Sequence, residues 1–392
     1  MPSIKGTSIY NRPIIGILSQ EIHESLTDDL AELMNNEHNV EFINVNRERA
    51  MTMDRFEYRK RAPQDNPEEI ETARPELRTA STEFKASTQM TLNEGDSFST
   101  PSIAGSFEEA LTSAQDAIVS KNATYIGASY VKFVEAAGAR VVPIFINKDK
   151  EYYEHILESV NGVLFPGGAV AINDASGYGR AGKIIYEIAR EMNHRGDVFP
   201  LWGTCLGFEL MMGLAANGNE IRTSCDAQNK ADYLKLDTHY ADGYLLRHLP
   251  KKLLKAITTE PITSNFHKFC VTPKNFTAFG VDKFYRALAF SADRRGVEYV
   301  AAAEAWEYPF FAVQFHPEKT PYEWTTKSGH DHIPHSSAAV NLANYFAQVF
   351  VNYARRNNHK FSDASEETRS LIYNFSPIYT GQYSPMEQIY IF

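Results

Sequence analysis

Short, continuous apolar runs separated by amphipathic segments form the main pattern of this chain. The runs occupy residues 13–18, 140–145, 162–165, 199–204 and 310–315. Apolar runs of this length without alternation predict strands that are buried on both faces of a parallel sheet. Apolar residues recur at helical spacing in segments 125–137, 152–160, 182–193 and 338–354. This alternation predicts an open, mostly parallel α/β sheet with helices on both faces.

The last part of the chain adds two features to this pattern. Residues 299–304 predict a strand that runs antiparallel to its neighbours. The tail at 376–381 lacks a period and is expected to be irregular. We therefore expect one domain over residues 12–392, with no internal repeat.

A polar stretch at 22–122 interrupts the domain after its first strand. It is rich in charged residues and contains a Pro, Asp and Glu cluster at 63–76. Such a composition cannot bury much apolar surface and predicts a disordered insert. Within it, segments 25–34 and 106–119 have helical spacing, and neither is expected to take part in the chemistry.

Composition narrows the class of protein. The 392 residues include 43% hydrophobic and 12% aromatic residues, which suit a globular core. The net charge of −10 argues against a nucleic-acid partner. No apolar run is long enough to cross a bilayer, and the N-terminus lacks the apolar stretch of a signal peptide.

The cysteines and the glycosylation motifs indicate little more about function or compartment. Cys205, Cys225 and Cys270 have no metal-ligand spacing, and three cysteines cannot build the disulfide framework of a small secreted domain. Asn-x-Ser/Thr triplets begin at Asn122, Asn275 and Asn374. They would be glycosylation acceptors only in the secretory pathway. We expect no metal and no cofactor.

Cys205 follows an apolar run and precedes a helical segment, so it lies at a strand–turn–helix junction. Residues 203–207 read Gly-Thr-Cys-Leu-Gly, which has the spacing of the Gly-x-Ser-x-Gly nucleophile elbow. The N–H groups and the dipole at the start of a helix favour the thiolate. A small buried core cysteine is the alternative interpretation for this residue taken alone.

His316 and Glu318 follow another apolar strand, so they lie at the same edge of the sheet as Cys205. In an open α/β sheet this carboxyl edge is where ligand sites form. His316 can serve as the base that removes the thiol proton, and Glu318 can orient its ring. The N–H groups of Leu206 and Gly168 are the candidate donors for an oxyanion. Each residue alone could have a structural role, and their joint placement favours a cysteine hydrolase.

These motifs resemble those of the class I glutamine amidotransferase-like superfamily and, more narrowly, the γ-glutamyl hydrolase family. The matching segments are 12–20, 199–209 (Phe-Pro-Leu-Trp-Gly-Thr-Cys-Leu-Gly-Phe-Glu), 265–268 (Asn-Phe-His-Lys), 313–319 (Val-Gln-Phe-His-Pro-Glu-Lys), 322–324 and 375–381. The resemblance implies a flavodoxin-like doubly wound fold. It also implies an enzyme that cleaves γ-glutamyl bonds of folate poly-γ-glutamates. It also implies Cys205 as nucleophile, His316 as base and Glu318 as its partner.

The same resemblance implies substrate-binding roles for Glu209 and His267. Glu209 lies one helical turn after Cys205 and could hold the α-amino group of a γ-linked glutamate, although it could also pair within the helix. The family normally carries a signal peptide and acts in lysosomes, vacuoles or outside the cell. On this resemblance, we expect the insert at 22–122 to have no counterpart in the family.

Two other functions remain open at this stage. One is a glutaminase that supplies ammonia to a synthetase, although no synthetase domain is attached. The other is a protein that binds γ-glutamyl or folate ligands without turnover, or a partner through the insert. We expect a small-molecule substrate and no membrane partner, and we leave open whether the protein forms a homodimer and whether cleavage is endo or exo.

Overall fold

The computed structural model describes residues 10–22, 123–382 and 384–392. Nearly all of the polar stretch at 22–122, including the helices predicted at 25–34 and 106–119, lies outside these residues. The strands are β1 (Ile14–Leu18), β2 (Gln20–Glu21), β3 (Thr124–Gly127), β4 (Arg140–Ile144), β5 (Val163–Phe165), β6 (Leu201–Thr204), β7 (Thr223–Asp232), β8 (Lys235–Leu236), β9 (Thr263–Cys270), β10 (Tyr285–Ala292), β11 (Glu298–Ala305), β12 (Phe310–Val313), β13 (Ile378–Tyr379) and β14 (Gln388–Ile391).

Helices alternate with these strands, as the sequence pattern predicts. They are α1 (Ala128–Glu135), α2 (Lys150–Ser159), α3 (Gly177–His194), α4 (Leu206–Ala215), α5 (Tyr244–Arg247), α6 (Lys251–Thr259), α7 (Pro273–Ala278), α8 (Lys319–Tyr322), α9 (Ser337–Ala354) and α10 (Ala364–Ser370). Single 3₁₀ turns occur at Tyr240–Asp242, Val281–Lys283 and Ile372–Asn374.

The central sheet has the strand order β4-β1-β5-β6-β12-β11-β10-β8. The first five of these strands are parallel, and β11, β10 and β8 are antiparallel to their neighbours. Numbered by their order along the chain, the five parallel strands read 2-1-3-4-5, which is the flavodoxin-like order. The structure thus confirms the predicted α/β fold and the antiparallel strand near 299–304. The ends of β5, β6 and β12 meet at one edge of the sheet.

Two smaller elements flank the central sheet. A second sheet has the order β13-β14-β3-β2, and β7 pairs with β9 in an antiparallel ribbon. Two predictions are corrected here. Residues 124–127 form β3 ahead of helix α1, where a helix was expected from 125, because they pair with β14 and β2. The tail expected to be irregular contributes β13, which pairs with β14.

A cluster of aromatic rings joins the central sheet to two covering helices. Trp202 of β6 is fully buried, and its ring centroid lies 5.8 Å from that of Phe133 in α1. The rings of Phe346 and Phe350 in α9 lie 6.0 and 5.9 Å from it. Burying a large aromatic side chain stabilises a fold by about 1.5–3 kcal/mol relative to exposure. This packing fixes β6, and therefore the position of the residue that follows it.

The β7–β9 ribbon carries a disulfide between Cys225 and Cys270, whose Cα atoms are 6.0 Å apart. The bond closes a loop between positions 45 residues apart in the sequence. The sequence spacing did not predict this pairing. A cross-link of this kind stabilises mainly because it restricts the unfolded chain.

Replacing both Cys225 and Cys270 by Ser should lower the free energy of unfolding by about 2–4 kcal/mol. The measurement is urea denaturation with and without a thiol reductant. The reductant should destabilise the wild type by a similar amount and leave the double variant unchanged. A wild-type transition that does not respond to reductant would contradict a stabilising disulfide.

Candidate active site

Cys205 follows β6 directly and is the N-cap residue of α4. Its backbone has φ 51° and ψ −104°, a region that a side-chain-bearing residue rarely adopts. Its N–H donates to Val313 O of β12 at 2.9 Å, and Glu209 N–H donates to Cys205 O at 2.9 Å. The strained turn is therefore held on both sides by regular structure. This is the strand–turn–helix junction that the sequence predicted.

His316 follows β12 after two residues, and its ring is oriented by Glu318. Nδ1 of His316 lies 2.7 Å from Glu318 Oε1, and both side chains are buried. The main-chain N–H of His316 donates to Ser264 O of β9 at 2.7 Å. With the carboxylate ionised, Nδ1 carries the proton and Nε2 keeps its lone pair. A neutral ring in this tautomer can accept a proton at Nε2.

Gly167 lies between the cysteine and the histidine. A Cβ atom placed on Gly167 would lie 2.7 Å from His316 Cε1 and 3.2 Å from Cys205 Cβ. The same atom would lie 2.7 Å from the hydroxyl oxygen of Tyr130. Only glycine fits at this point, because these three side chains already occupy the space. The structure therefore brings Cys205 and His316 together around one glycine.

The sulfur of Cys205 is more basic than the sequence suggested. Burial raises the pKa of the thiol well above its usual value, and the negative charges of Glu209 and Glu318 raise it further. The Leu206 N–H at the start of α4 and the Lys319 charge lower this pKa, but they do not offset burial. The start of α4 lowers the pKa of the thiol, as the sequence predicts, but burial raises this pKa by more. The resting cysteine is a thiol, so it needs a base.

The two candidate oxyanion donors are placed differently. Leu206 is the first residue of α4, and its N–H lowers the pKa of the Cys205 thiol. Gly168 lies in the loop after β5 and is exposed. A Cβ on Gly168 would clash with the side-chain amide of Gln20. The glycine is needed here because Gln20 packs against it, whereas the sequence suggested only substrate approach.

Glu209 lies in the first turn of α4 and is buried. Its Oε2 accepts from Arg222 at 3.0 Å, and its Oε1 accepts from Gln314 at 3.2 Å. Burial raises the pKa of Glu209, while Arg222 and Gln314 lower it. Each carboxylate oxygen can accept more than one hydrogen bond, so these contacts leave acceptor capacity.

His267 lies on β9 beside the disulfide and is buried. Its Nδ1 lies 3.0 Å from Phe269 O, and its Nε2 lies 3.3 Å from Asn265 Oδ1. Burial lowers the pKa of His267 to about 3, so the ring is neutral at ordinary pH. A charged role for this histidine is therefore disfavoured in the free protein.

The ring of His267 also contacts the sulfurs of Cys225 and Cys270, at 3.5 and 3.6 Å from its Nδ1. The ligand atoms of these three residues lie within 4.8 Å of one another, which is close enough to hold a metal ion. Metal binding requires cysteine thiolates. The disulfide occupies both sulfurs, so this cluster is not available to a metal in the oxidised chain.

Sequence reasoning missed three residues that contact the predicted site. Tyr130 fits the apolar stripe of the helix predicted at 125–137, yet its hydroxyl accepts from Gly167 N–H at 2.8 Å and lies 3.4 Å from His316 Nδ1. Burial and the Glu318 charge raise the pKa of Tyr130 well above its usual value. Gln20 and Arg222 reach the site from outside the predicted strands. Helical period and residue type gave no signal for either contact.

Comparisons with known proteins show the family to which this chain belongs. The Peptidase C26 family model matches residues 103–318. The human protein named "Gamma-glutamyl hydrolase" is 43% identical over 269 residues, which cover 68% of this chain and 83% of the human protein. "Gamma-glutamyl hydrolase B" of Dictyostelium discoideum is 39% identical over 269 residues, covering 68% and 77%.

Solved structures also have a detectable likeness to this chain. A glutamine amidotransferase from Methylobacillus flagellatus is 11% identical, with a TM-score of 0.36, and the match covers 60% of this chain and 91% of that one. Within the described residues, no helix is both long and apolar enough to cross a membrane.

Proposed function

Because this chain belongs to the peptidase C26 family, with γ-glutamyl hydrolases among its relatives, we propose that it hydrolyses γ-glutamyl bonds of folate poly-γ-glutamates. The family assignment confirms the resemblance found in the sequence motifs and the class of cysteine-type hydrolase. The observation that carries the proposal is the meeting of Cys205 with a His316–Glu318 pair around Gly167.

In the first half-reaction, His316 Nε2 takes the proton of the Cys205 thiol as the sulfur attacks the γ-carbonyl carbon. A carbon–sulfur bond forms, and the carbonyl electrons move to oxygen. Leu206 and Gly168 N–H groups stabilise this oxyanion. The carbon–nitrogen bond then breaks as His316 gives its proton to the leaving nitrogen. The product is a thioester on Cys205 and a free amine.

In the second half-reaction, water replaces the amine. His316 takes a proton from water as the water oxygen attacks the thioester carbon. The N–H groups of Leu206 and Gly168 again stabilise the oxyanion. The carbon–sulfur bond breaks, and the sulfur regains its proton from His316. Glu318 stabilises the imidazolium that forms in both halves. Because burial raises the pKa of the Cys205 thiol, transfer of a proton from His316 to the sulfur assists its departure.

Substrate binding is assigned to the groups around Cys205. Inside a poly-γ-glutamate chain the α-nitrogen is acylated, so it offers one neutral N–H, whereas each α-carboxylate is charged. Glu209 can accept that N–H with the lone pairs that Arg222 and Gln314 leave open. His267, neutral in the free protein, is assigned a hydrogen-bonding contact with no charge of its own.

The compartment proposed is a lysosome, a vacuole or the extracellular space. The Cys225–Cys270 disulfide supports it, because such bonds persist in oxidising compartments. Of the Asn-x-Ser/Thr sites, Asn275 has its amide bonded to Ile221 O and Thr223 Oγ1, at 2.9 and 3.1 Å. A glycan on Asn275 would break these hydrogen bonds. Light scattering would distinguish a monomer from the homodimer that the sequence leaves open.

The insert at 22–122 is proposed to have no catalytic part. Glu21 of β2 pairs with Thr124 of β3, so the chain leaves and re-enters the described fold at adjacent positions. Deleting residues 22–120 would leave a three-residue connection between paired strands, a common hairpin length. We expect kcat/KM to stay within about threefold, because loops of different length can join the same strands. Loss of activity in a folded deletion variant would contradict this.

The test of function is incubation of the purified protein with pteroyl-pentaglutamate and, separately, with free glutamine. Mass spectrometry follows the products from acidic to neutral pH. Shortened folates would support the proposal, and the released fragments would distinguish endo from exo cleavage. Ammonia from glutamine with intact folate would indicate a glutaminase. A folded protein inactive on both substrates would indicate a binding protein.

A further inference from the structure

One side chain outside the predicted site holds the loop that supplies an oxyanion donor. Gln20 Nε2 donates to Gly167 O at 2.8 Å, and the Gln20 side chain is 1% exposed. The backbone of Gln20 is fixed in β2, where it pairs with Tyr125 of β3. Gln20 Oε1 has no hydrogen-bond partner within the described part of the chain. The donor end of this amide therefore makes the contact that anchors the loop.

The peptide plane links that contact to the chemistry. Gly167 C=O and Gly168 N–H belong to the same peptide group, which is trans. In a trans peptide the two point in opposite directions. A donor that fixes the carbonyl therefore also fixes where the Gly168 N–H points.

This peptide needs such an anchor because both of its residues are glycines. Glycine accepts a wide range of backbone angles, so steric exclusion alone does not select one orientation of the plane. Tyr130 holds the N–H on the other side of Gly167, at 2.8 Å. The carbonyl side depends on Gln20. The amide of Gln20 also packs against Gly168, since a Cβ there would overlap Gln20 Oε1.

We propose that Gln20 is a positioning residue that turns the Gly168 N–H toward the oxyanion formed at Cys205. This inference rests on the proposed function and deepens it. The side-chain hydrogen bond of Gln20 goes to Gly167 O and not to Cys205 or His316. Its loss should weaken stabilisation of the tetrahedral intermediate and leave substrate binding and thiol reactivity intact.

Two substitutions separate this role from simple packing. Gln20→Leu keeps a similar volume without a donor. Gln20→Glu keeps the shape and, assayed at a pH where its carboxyl group is ionised, presents only oxygen lone pairs to Gly167 O. We expect kcat to fall by about 10- to 100-fold in both, less than or similar to removal of a whole oxyanion donor. KM should stay within about threefold, because ground-state contacts are unchanged.

Two reagents provide readouts that a structural defect would not move in the same way. A γ-glutamyl aldehyde adds to Cys205 and gives a thiohemiacetal whose oxygen occupies the oxyanion position, so its affinity should fall in proportion to kcat. Iodoacetamide alkylates the sulfur by displacement and creates no oxyanion, so its rate should be unchanged.

Glu21→Gln is the matched control. Glu21 is the neighbour of Gln20 in β2, and its carboxylate accepts from Gly177 N–H at the start of α3. The glutamine variant can still accept at that position. Its kcat and aldehyde affinity should match those of the wild type.

Unchanged aldehyde affinity in Gln20→Leu and Gln20→Glu would overturn the proposal. Slowed alkylation together with a lowered melting temperature would also overturn it, because the whole site would then be distorted. Acylation by the ester p-nitrophenyl acetate distinguishes failure of the proposed function from failure of the positioning role of Gln20. If the wild type acylates Cys205 with this ester but does not cleave γ-glutamyl bonds, the proposed function fails. A Gln20-dependent acylation rate would then still support the positioning role.

Discussion

Replacing Cys205 by Ala should reduce γ-glutamyl hydrolysis by about 10⁴-fold or more, because no other group can form the thioester. The substitution removes one sulfur atom from a site that is 5% exposed. Within the described residues, Cys205 is the free cysteine, since Cys225 and Cys270 are joined. Steady-state assay with pteroyl-pentaglutamate measures the loss, and urea denaturation verifies that the variant is folded.

The double variant with Ser at Cys225 and Cys270 is the control for this experiment. It removes two sulfurs that no step of the proposed reaction uses, so it should lose stability and retain kcat per folded molecule. Because both sulfurs contact His267, the comparison uses kcat and not KM. Mass spectrometry of the wild type, quenched during turnover, should detect an acyl group on Cys205. Residual hydrolysis by Cys205→Ala at more than one percent of the wild-type rate would contradict the nucleophile assignment.

Replacing His316 by Gln should lower kcat by about 10²- to 10⁴-fold, the range that general acid–base catalysis contributes. Burial keeps the Cys205 thiol protonated by raising its pKa, so loss of the base leaves little thiolate at neutral pH. The rate should therefore recover partly as the pH rises, since hydroxide can then remove the thiol proton. The measurement is kcat/KM and the rate of iodoacetamide alkylation from pH 5 to pH 10.

His155→Gln supplies the matched control for His316→Gln. His155 also pairs with a carboxylate, Glu366, at 2.6 Å, but it lies on α2. Its replacement should leave kcat and its pH dependence unchanged. Equal effects of the two substitutions would show that the loss in His316→Gln reflects a general defect, not the absence of a base.

The sequence predicts the central sheet well because strands buried on both faces appear in the sequence as continuous apolar runs. The five residues of β1 are all buried, as their continuous apolar run predicts. Cys205, His316 and Glu318 were placed together by one rule, that the strands of a parallel sheet end at a common edge. The structure places them as that rule implies. Their catalytic roles remain proposals that the variants above test.

The sequence gives less information where a contact depends on the exact direction of a side chain. Tyr130 fits the apolar stripe of α1, and helical period does not tell that its hydroxyl reaches Gly167. Gln20 is adjacent to a predicted strand but acts on a loop 147 positions away. The Cys225–Cys270 pairing depends on the register of β7 and β9, which also contains irregularities. The pKa of Cys205 depends on burial, so residue order alone favoured the opposite sign.

The backbone of Cys205 has a consequence for how this protein can evolve. A side-chain-bearing residue held at φ 51° and ψ −104° costs of order 1–3 kcal/mol, and glycine at the same angles avoids most of that strain. Selection for stability alone would therefore favour glycine at position 205. Selection for turnover retains the cysteine despite the stability that glycine would add. A duplicated copy released from catalysis would gain stability by losing its nucleophile, so an inactive descendant could be more heat-resistant than its active parent.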